Sequence, residues 1–469
     1  MTETNYSHFP YLPHTEEDRQ EMLKKIGVRS FEELVKHIPD GVRAEKLDLR
    51  PGLSELELTQ HISALASKNT STSKQSSFLG GGSYRRFVPS VVPSIISRSE
   101  FATAYTPYQP EVSQGSLQII YEFQTAVCLL TGMEVANASM YDGPTACAEA
   151  ALMAARLNSR QKVIASRSVN PEYRMVTQTY LNSCGLIYEC SEQVSQDGLT
   201  ASEKLNIDQD TAAVIVQYPN YFGLFEDVES VAKAAHDAGA LLVVVTDAIA
   251  MGLLTPPGLF GADIVVGDAQ PCGNSLSFGG PSAGFMACRK DFVRQLPGRL
   301  AGMTVDNRGN RAFTLTLQTR EQHIRRAKAT SNICTNQALN ALAMLVYLTM
   351  MGPQGIKQLA SISLQRANYL ADKLAKIAGV KLLFTPFFNE FAVALEQPVD
   401  HVLEQLKQRG ILGGLALKQF YPELDNALLV AVTEMNSVEE LDRYAAELAA
   451  VLGKSKTRAA SGKETALPV

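Results

Sequence analysis

Three stretches of this chain carry residue types, in an order, that can do chemistry. Tyr141-Asp142-Gly143-Pro144-Thr145 opens a helical run. Proline suits a first helical position, and the free amides of a helix start, here Gly143 and Thr145, can hold an anion such as a phosphate. Many helices begin with Asp-Gly-Pro and bind nothing, so this stretch alone says little. Asp247 closes the apolar run 241–246. Ligand sites in open α/β sheets collect at strand carboxyl ends, but an Asp at such a point also caps the turn that follows, and in isolation the cap carries more weight. The third stretch runs Gly261-Ala-Asp-Ile-Val-Val-Gly-Asp-Ala-Gln-Pro271 and returns through Gly279-Gly-Pro-Ser-Ala-Gly284. It has the form of a strand, a short loop and a glycine-rich return.

Taken in order, the three match the pyridoxal-phosphate (PLP) pocket of the aspartate aminotransferase type. There the Asp pairs with the pyridine nitrogen and strengthens the ring as an electron sink. The loop after the following strand carries a lysine, which forms the imine with the cofactor carbonyl. That lysine is missing. None occurs between Lys233 and Lys290, and Gln270-Pro271 stands, counted without gaps, where a His-Lys pair is expected. Either the fold binds no PLP, or PLP sits in a partner chain whose site this chain completes.

The elements that must position these residues are legible as periodicity. Helical runs fall at 116–130, 144–157, 171–183 and 227–238. Short, continuously apolar runs at 162–165, 186–189, 212–217, 241–246, 263–266 and 284–288 read as buried strands. Such strands alternating with helices indicate a mainly parallel sheet covered on both faces. The fold class is therefore α/β. Residues 116–330 form a large domain of the PLP-transferase kind, and 331–453 a connecting helix and small C-terminal α/β domain. The helix is interrupted near Gly352-Pro353, and the small domain has strands at 381–384, 391–395 and 427–432 and helices at 401–409 and 438–451. Residues 1–115 form an N-terminal helical extension and an irregular segment. Thr15 caps a first helix ended by Gly27, and Ser30 with Glu33 makes a capping box for a second. The polar tail 454–469 reads as disordered.

Composition narrows the function classes. The 469 residues carry a net charge of -5, with Lys and Arg scattered, so no footprint for nucleic acid appears. No stretch of 18 apolar residues offers a membrane span, and Met1–Thr15 lacks the apolar core of a secretory signal. Seven cysteines, without a CxxC pair, read as reduced core thiols of a cytoplasmic protein, with neither a zinc site nor a disulfide framework.

Longer matches are more specific. Phe78-Leu-Gly-Gly-Gly-Ser-Tyr84, Ile96-Ser-Arg-Ser-Glu-Phe-Ala-Thr-Ala-Tyr-Thr-Pro-Tyr-Gln-Pro-Glu-Val-Ser-Gln-Gly115, Leu117-Gln-Ile-Ile-Tyr-Glu-Phe-Gln124, Val135-Ala-Asn-Ala-Ser-Met-Tyr-Asp-Gly143 and Ser277-Phe-Gly-Gly-Pro281 resemble glycine decarboxylase, the P-protein of the glycine cleavage system. The resemblance spans about residues 10–452. It implies a family in which some members are one long chain of two homologous halves and others are two proteins. The N-terminal half, subunit 1 or alpha, lacks the PLP lysine and the other half carries it. It further implies a heterodimer, or a dimer of heterodimers, that decarboxylates glycine through PLP held covalently by the second subunit. The aminomethyl group then passes to the lipoyl arm of the H-protein.

Sites in this fold form at subunit interfaces, so the irregular segment 78–115 is the candidate to reach a partner's site. It offers Arg98, Tyr105, Tyr108, Gln109 and Glu111. Tyrosine hydroxyls can orient the glycine carboxylate or a cofactor oxygen, and Glu111 can move a proton; equally, Tyr105 and Tyr108 can simply fill an interface, where tyrosine is enriched. In this chain Gly143, Thr145, Asp247 and Gln270 would line a vestigial pocket with no covalent cofactor. Two other readings compete: a subunit that only stabilises a PLP-bearing partner, and a stand-alone enzyme using Lys290 or Lys328. Gly80-Gly81-Gly82 reads as a flexible turn, His236 as a solvated helix residue and Cys272 as a small buried one.

Overall fold

A computed structural model describes residues 13–43, 52–191, 196–331, 333 and 335–461, with side chains to 453. The chain divides into two compact units, Met1–Ser71 and Thr72–Val469. The segment 72–115 therefore belongs with the second, larger unit and not with the N-terminal extension, where the sequence reading had grouped it.

In the first unit, Thr15 caps helix Glu16–Ile26 through a capping box with Asp18, and Gly27 ends it at φ 89°. The box expected at Ser30 does not form. The Ser30 side chain makes no capping bond, and Glu33 instead accepts from the amide of Arg29. A third helix, Glu55–Ala66, is capped reciprocally by Ser54 and Glu57.

The second unit is built on a seven-stranded sheet. In chain order its strands are β1 (Val135–Ala136), β2 (Lys162–Ala165), β3 (Ile187–Cys190), β4 (Thr211–Tyr218), β5 (Leu241–Asp247), β6 (Ile264–Asp268) and β7 (Gly284–Cys288), arranged β1-β7-β6-β5-β4-β2-β3. The five from β6 to β3 are parallel; β7 runs antiparallel to them, and β1, antiparallel to β7, forms the edge. The β-branched runs Val214-Ile215-Val216, Val243-Val244-Val245 and Ile264-Val265-Val266 suit a pleated surface, and each is buried on both faces. Helices Gly143–Asn158 and Pro171–Ser183 cover one face of the sheet; Gln114–Thr131, Val228–Asp237 and the first half of Ala338–Leu374 cover the other.

Helix Ala338–Leu374 is long and apolar enough to cross a membrane by length and composition alone. It is broken at Gly352 (φ 59°, ψ 179°), where the Gly-Pro pair predicted an interruption. Met344, Tyr347, Leu359 and Ala360 lie in the core that also holds β4 and β5. The C-terminal lobe is a four-stranded antiparallel sheet in the order Val380–Leu382, Glu390–Leu395, Ala427–Ala431, Leu415–Ala416, carrying helices Val399–Gln408 and Val438–Ser461. That last helix continues past Lys454, where composition had suggested an unordered tail.

The segment that sequence leaves irregular is a strap between the lobes. Phe78 donates to Leu412 and accepts from Ala431, and Asn436 holds Ser77. Gly81 donates to Glu390 and accepts from Asn170 of the large domain. Gly80-Gly81-Gly82 is therefore no flexible turn. A Cβ at Gly80 would overlap Glu390 and Ala431. Gly81 (φ +73°) and Gly82 (φ +109°) would each place one 2.7 Å from Leu415 and Asn170, respectively.

Candidate functional site

The carboxyl ends of β5 and β6 bring Asp247 and Asp268 side by side in register. Helix Gly143–Asn158 begins against them. Its first amide, Gly143, donates to Asp268 Oδ2 at 2.9 Å; its second residue, Pro144, has no N–H; its third amide, Thr145, donates to Asp142 Oδ1 at 2.8 Å; the fourth, Ala146, donates to the Asp142 carbonyl. The anion-holding donors expected at Gly143 and Thr145 are thus already engaged within the chain. Asp268 also accepts from the Gln270 amide at 2.8 Å and the Ser282 hydroxyl at 2.5 Å. Burial raises the pKa of its carboxyl, and these three hydrogen bonds oppose the rise. The phenol of Tyr173 fills the space beside Gly143, where a Cβ would overlap it.

Gln270, at the position preceding the expected lysine, is buried and clasps the backbone of Tyr84. Its Oε1 accepts from the Tyr84 amide at 2.9 Å, and its Nε2 donates to the Tyr84 carbonyl at 3.0 Å and to Asn274 at 3.0 Å. Asp247 caps the turn after β5, accepting from Ile249 (2.6 Å) and Ala250 (3.0 Å). Its charge also reaches a buried cation. Burial disfavours the Arg86 guanidinium, and the carboxylates of Glu434 and Asp247 offset that cost. Arg86 donates to Glu434 at 2.7 Å and to Ser363 at 2.9 Å. Tyr84 completes the cluster, donating to Glu390 Oε2 at 2.6 Å.

Sequence reasoning missed Tyr84, Arg86, Asp268, Glu390 and Glu434. Asp268, two residues before Gln270, and Tyr84, which ends the glycine-rich stretch, were both within quoted segments. The others become neighbours only through the strap.

PLP does not fit this chain. No amine stands at Gln270-Pro271, and the helix start that would take a phosphate is filled by carboxylates of the chain itself. Lys290 follows β7, which runs antiparallel, so it lies at the opposite end of the sheet from Asp247, and it is exposed. Lys328 is exposed as well. Among the described residues no group of His, Cys, Asp and Glu is placed to hold a metal.

A family model for the glycine cleavage system P-protein matches residues 10–448. The chain belongs to the glycine cleavage system P-protein family. It is 52% identical over 441 residues to a probable glycine dehydrogenase (decarboxylating) subunit 1 of Geobacillus thermodenitrificans, covering 93% of this chain and 98% of the relative. The corresponding protein of Bacillus subtilis is 50% identical over 442 residues, with the same coverage. Among solved structures, a glycine decarboxylase (P-protein) in inhibitor-bound form superposes with TM-score 0.87 at 44% identity, over 94% of this chain and all of that one. A sphingosine-1-phosphate lyase of Burkholderia pseudomallei shares the fold alone, with TM-score 0.64 at 14% identity over 90% of this chain and 96% of that one. The P-protein fold is accordingly that of the fold type I PLP-dependent transferases.

The residues of this P-protein family member expected to reach a partner all lie on the surface of the second unit. Tyr105 and Tyr108 are 73% and 70% exposed, Gln109 and Glu111 are exposed, and Arg98 pairs with Glu100 at 2.9 Å. A further exposed aromatic lay in a quoted stretch without being singled out. Phe278 is fully exposed, in a loop where Ser277, Phe278, Gly279 and Gly280 all have positive φ. Asn340 anchors the end of this loop. Its amide donates to Pro281 and Ser282, while the adjacent Leu339 lines an apolar cavity of about 140 Å³ with Phe101 and Tyr105.

Two further readings are settled by geometry. Cys272 is buried, as expected, and burial raises its thiol. His236 is not merely solvated: its Nε2 lies 2.7 Å from Asp263, a fully buried carboxylate that also holds Leu242 and Arg289. The six thiols among the described residues are free, but Cys184 is exposed where a core position was expected; Cys334 lies outside the described residues.

Proposed function

We propose that this chain is the lysine-less subunit of a two-chain glycine dehydrogenase (decarboxylating), working in the cytoplasm with a second subunit that holds PLP covalently. A single observation carries the reading. A pocket of the PLP-transferase fold has Gln270-Pro271 where its amine belongs, and its phosphate-binding helix start is closed by Asp268. The subunit 1 relatives at about half identity support a two-subunit enzyme. The substrate is glycine, and the acceptor of the aminomethyl group is the lipoylated H-protein.

Within this reading the exposed aromatic residues Tyr105, Tyr108 and Phe278 meet the second subunit, and Arg98, Gln109 and Glu111 sit on the tyrosine segment. Aromatic side chains left this exposed cost solvation unless a partner covers them. The two tyrosine hydroxyls orient substrate in the partner's site, and Glu111 handles a proton there.

The test is reconstitution. The purified chain alone should show no decarboxylase activity, and addition of the lysine-bearing subunit should produce it; activity of the lone chain would overturn the assignment. Tyr105→Phe/Tyr108→Phe then separates a contributor from a scaffold. Loss of turnover with assembly intact is expected, whereas unchanged turnover would make the chain a stabilising subunit only.

A further inference from the structure

The polar contacts at the start of helix Gly143–Asn158 amount to more than the loss of a cofactor. We propose that Asp268 is an internal anion occupying the place of a bound phosphate, so that this chain keeps its own ligand and the pocket is closed to phosphate-bearing molecules. The inference concerns this chain's pocket alone and holds wherever the reaction takes place.

A phosphate on a helix start is held by N–H groups of the first turn, by the positive end of the helix and by nearby hydroxyls. Asp268 receives each of these. The Gly143 amide supplies the helix-start donor, the Gln270 amide a loop donor and Ser282 the hydroxyl, at 2.9, 2.8 and 2.5 Å. The remaining first-turn donors go to Asp142 or are removed by Pro144. Asp268 is attached to the end of β6 and needs no concentration to stay bound, so a free phosphate competes against a tethered anion. Charge opposes it further, because Asp142 is close enough to raise the pKa of the Asp268 carboxyl and Asp247 stands beside Asp268 in register, so a dianion would enter a site already lined by carboxyl groups. The pocket is therefore shut by substitution within the fold, and the covalent anchor is only one of the features it has given up.

The experiment titrates inorganic phosphate, and separately PLP, into the full chain at constant ionic strength, following thermal stability and calorimetric heat. The unsubstituted chain should show no saturable response to either. Asp268→Gly, which frees the Gly143 and Gln270 amides and the Ser282 hydroxyl, should gain saturable phosphate binding at least about ten-fold tighter than the unsubstituted chain, seen as a Tm that rises with phosphate and not with chloride. Asp268→Asn keeps an oxygen on the same amides and should gain much less. Saturable binding of phosphate or PLP by the unsubstituted chain overturns the proposal. So does a folded Asp268→Gly chain that gains none. If that variant fails to fold, the titration of the unsubstituted chain still decides.

Discussion

The phenol of Tyr84 and the carboxyl of Glu390 meet at 2.6 Å in a fully buried site between the strap and the C-terminal sheet. Burial is the largest influence on Glu390 and raises its pKa from 4.5 to about 7; the hydrogen bonds from Tyr84 and Gly81 work against the rise. The unfolded chain releases this proton near its ordinary value, the folded chain only near 7. Folding therefore takes up a proton between about pH 4.5 and 7, and this group's contribution to stability is full below that window and falls as pH rises through it. Glu390→Gln cannot titrate and should flatten that slope. At pH 8 it should match or exceed the unsubstituted chain, by an amount on the order of a few kcal/mol at most. Tm against pH for the two proteins is the measurement, and parallel curves would refute the assignment.

Gly80 and Gly115 make an informative pair. A Cβ at Gly80 overlaps Glu390 and Ala431, whereas one at Gly115, within helix Gln114–Thr131, meets nothing within 4 Å. Gly80→Ala should cost roughly 1–3 kcal/mol through overpacking. Gly115→Ala should gain roughly 0.5–1 kcal/mol from helix propensity. Chemical denaturation of both variants checks the opposite signs.

Arg86 and Glu434 form a buried ion pair, their side chains 1% and 10% exposed. Arg86→Met should destabilise by about 3–5 kcal/mol, because Glu434 is left as an uncompensated buried charge. Adding Glu434→Gln should recover part of that loss. A double-mutant cycle with strictly additive costs would show that the pair is not coupled.

Borohydride reduction in the presence of PLP, followed by peptide mapping, should leave no pyridoxyl group on a specific lysine of the lone chain. Lys290 and Lys328 are exposed and sit in no cofactor pocket, so any labelling should be weak and distributed. One stoichiometrically modified lysine would revive a stand-alone enzyme.

The sequence by itself determined the layered α/β body and the loss of the amine. Strands 162–165 and 284–288 and helix 171–183 fall where their periodicity places them, because a buried parallel strand must be continuously apolar and a helix must repeat near 3.6. The absence of lysine at Gln270-Pro271 is a fact of composition and needs no coordinates. Tertiary structure alone decided what became of the pocket. Gly143 meets Asp268 across 125 positions, Tyr84 meets Gln270 across 186 and Glu390 across 306. No local pattern encodes such pairings. The glycines at 80–82 resemble a loose turn until the C-terminal sheet closes on them, and Asp247 resembles a cofactor ligand until the amides of Ile249 and Ala250 claim it. Backbone periodicity is a local consequence of hydrogen bonding and burial, whereas the partner of a buried polar group is fixed only when distant segments are brought within about 3 Å of one another.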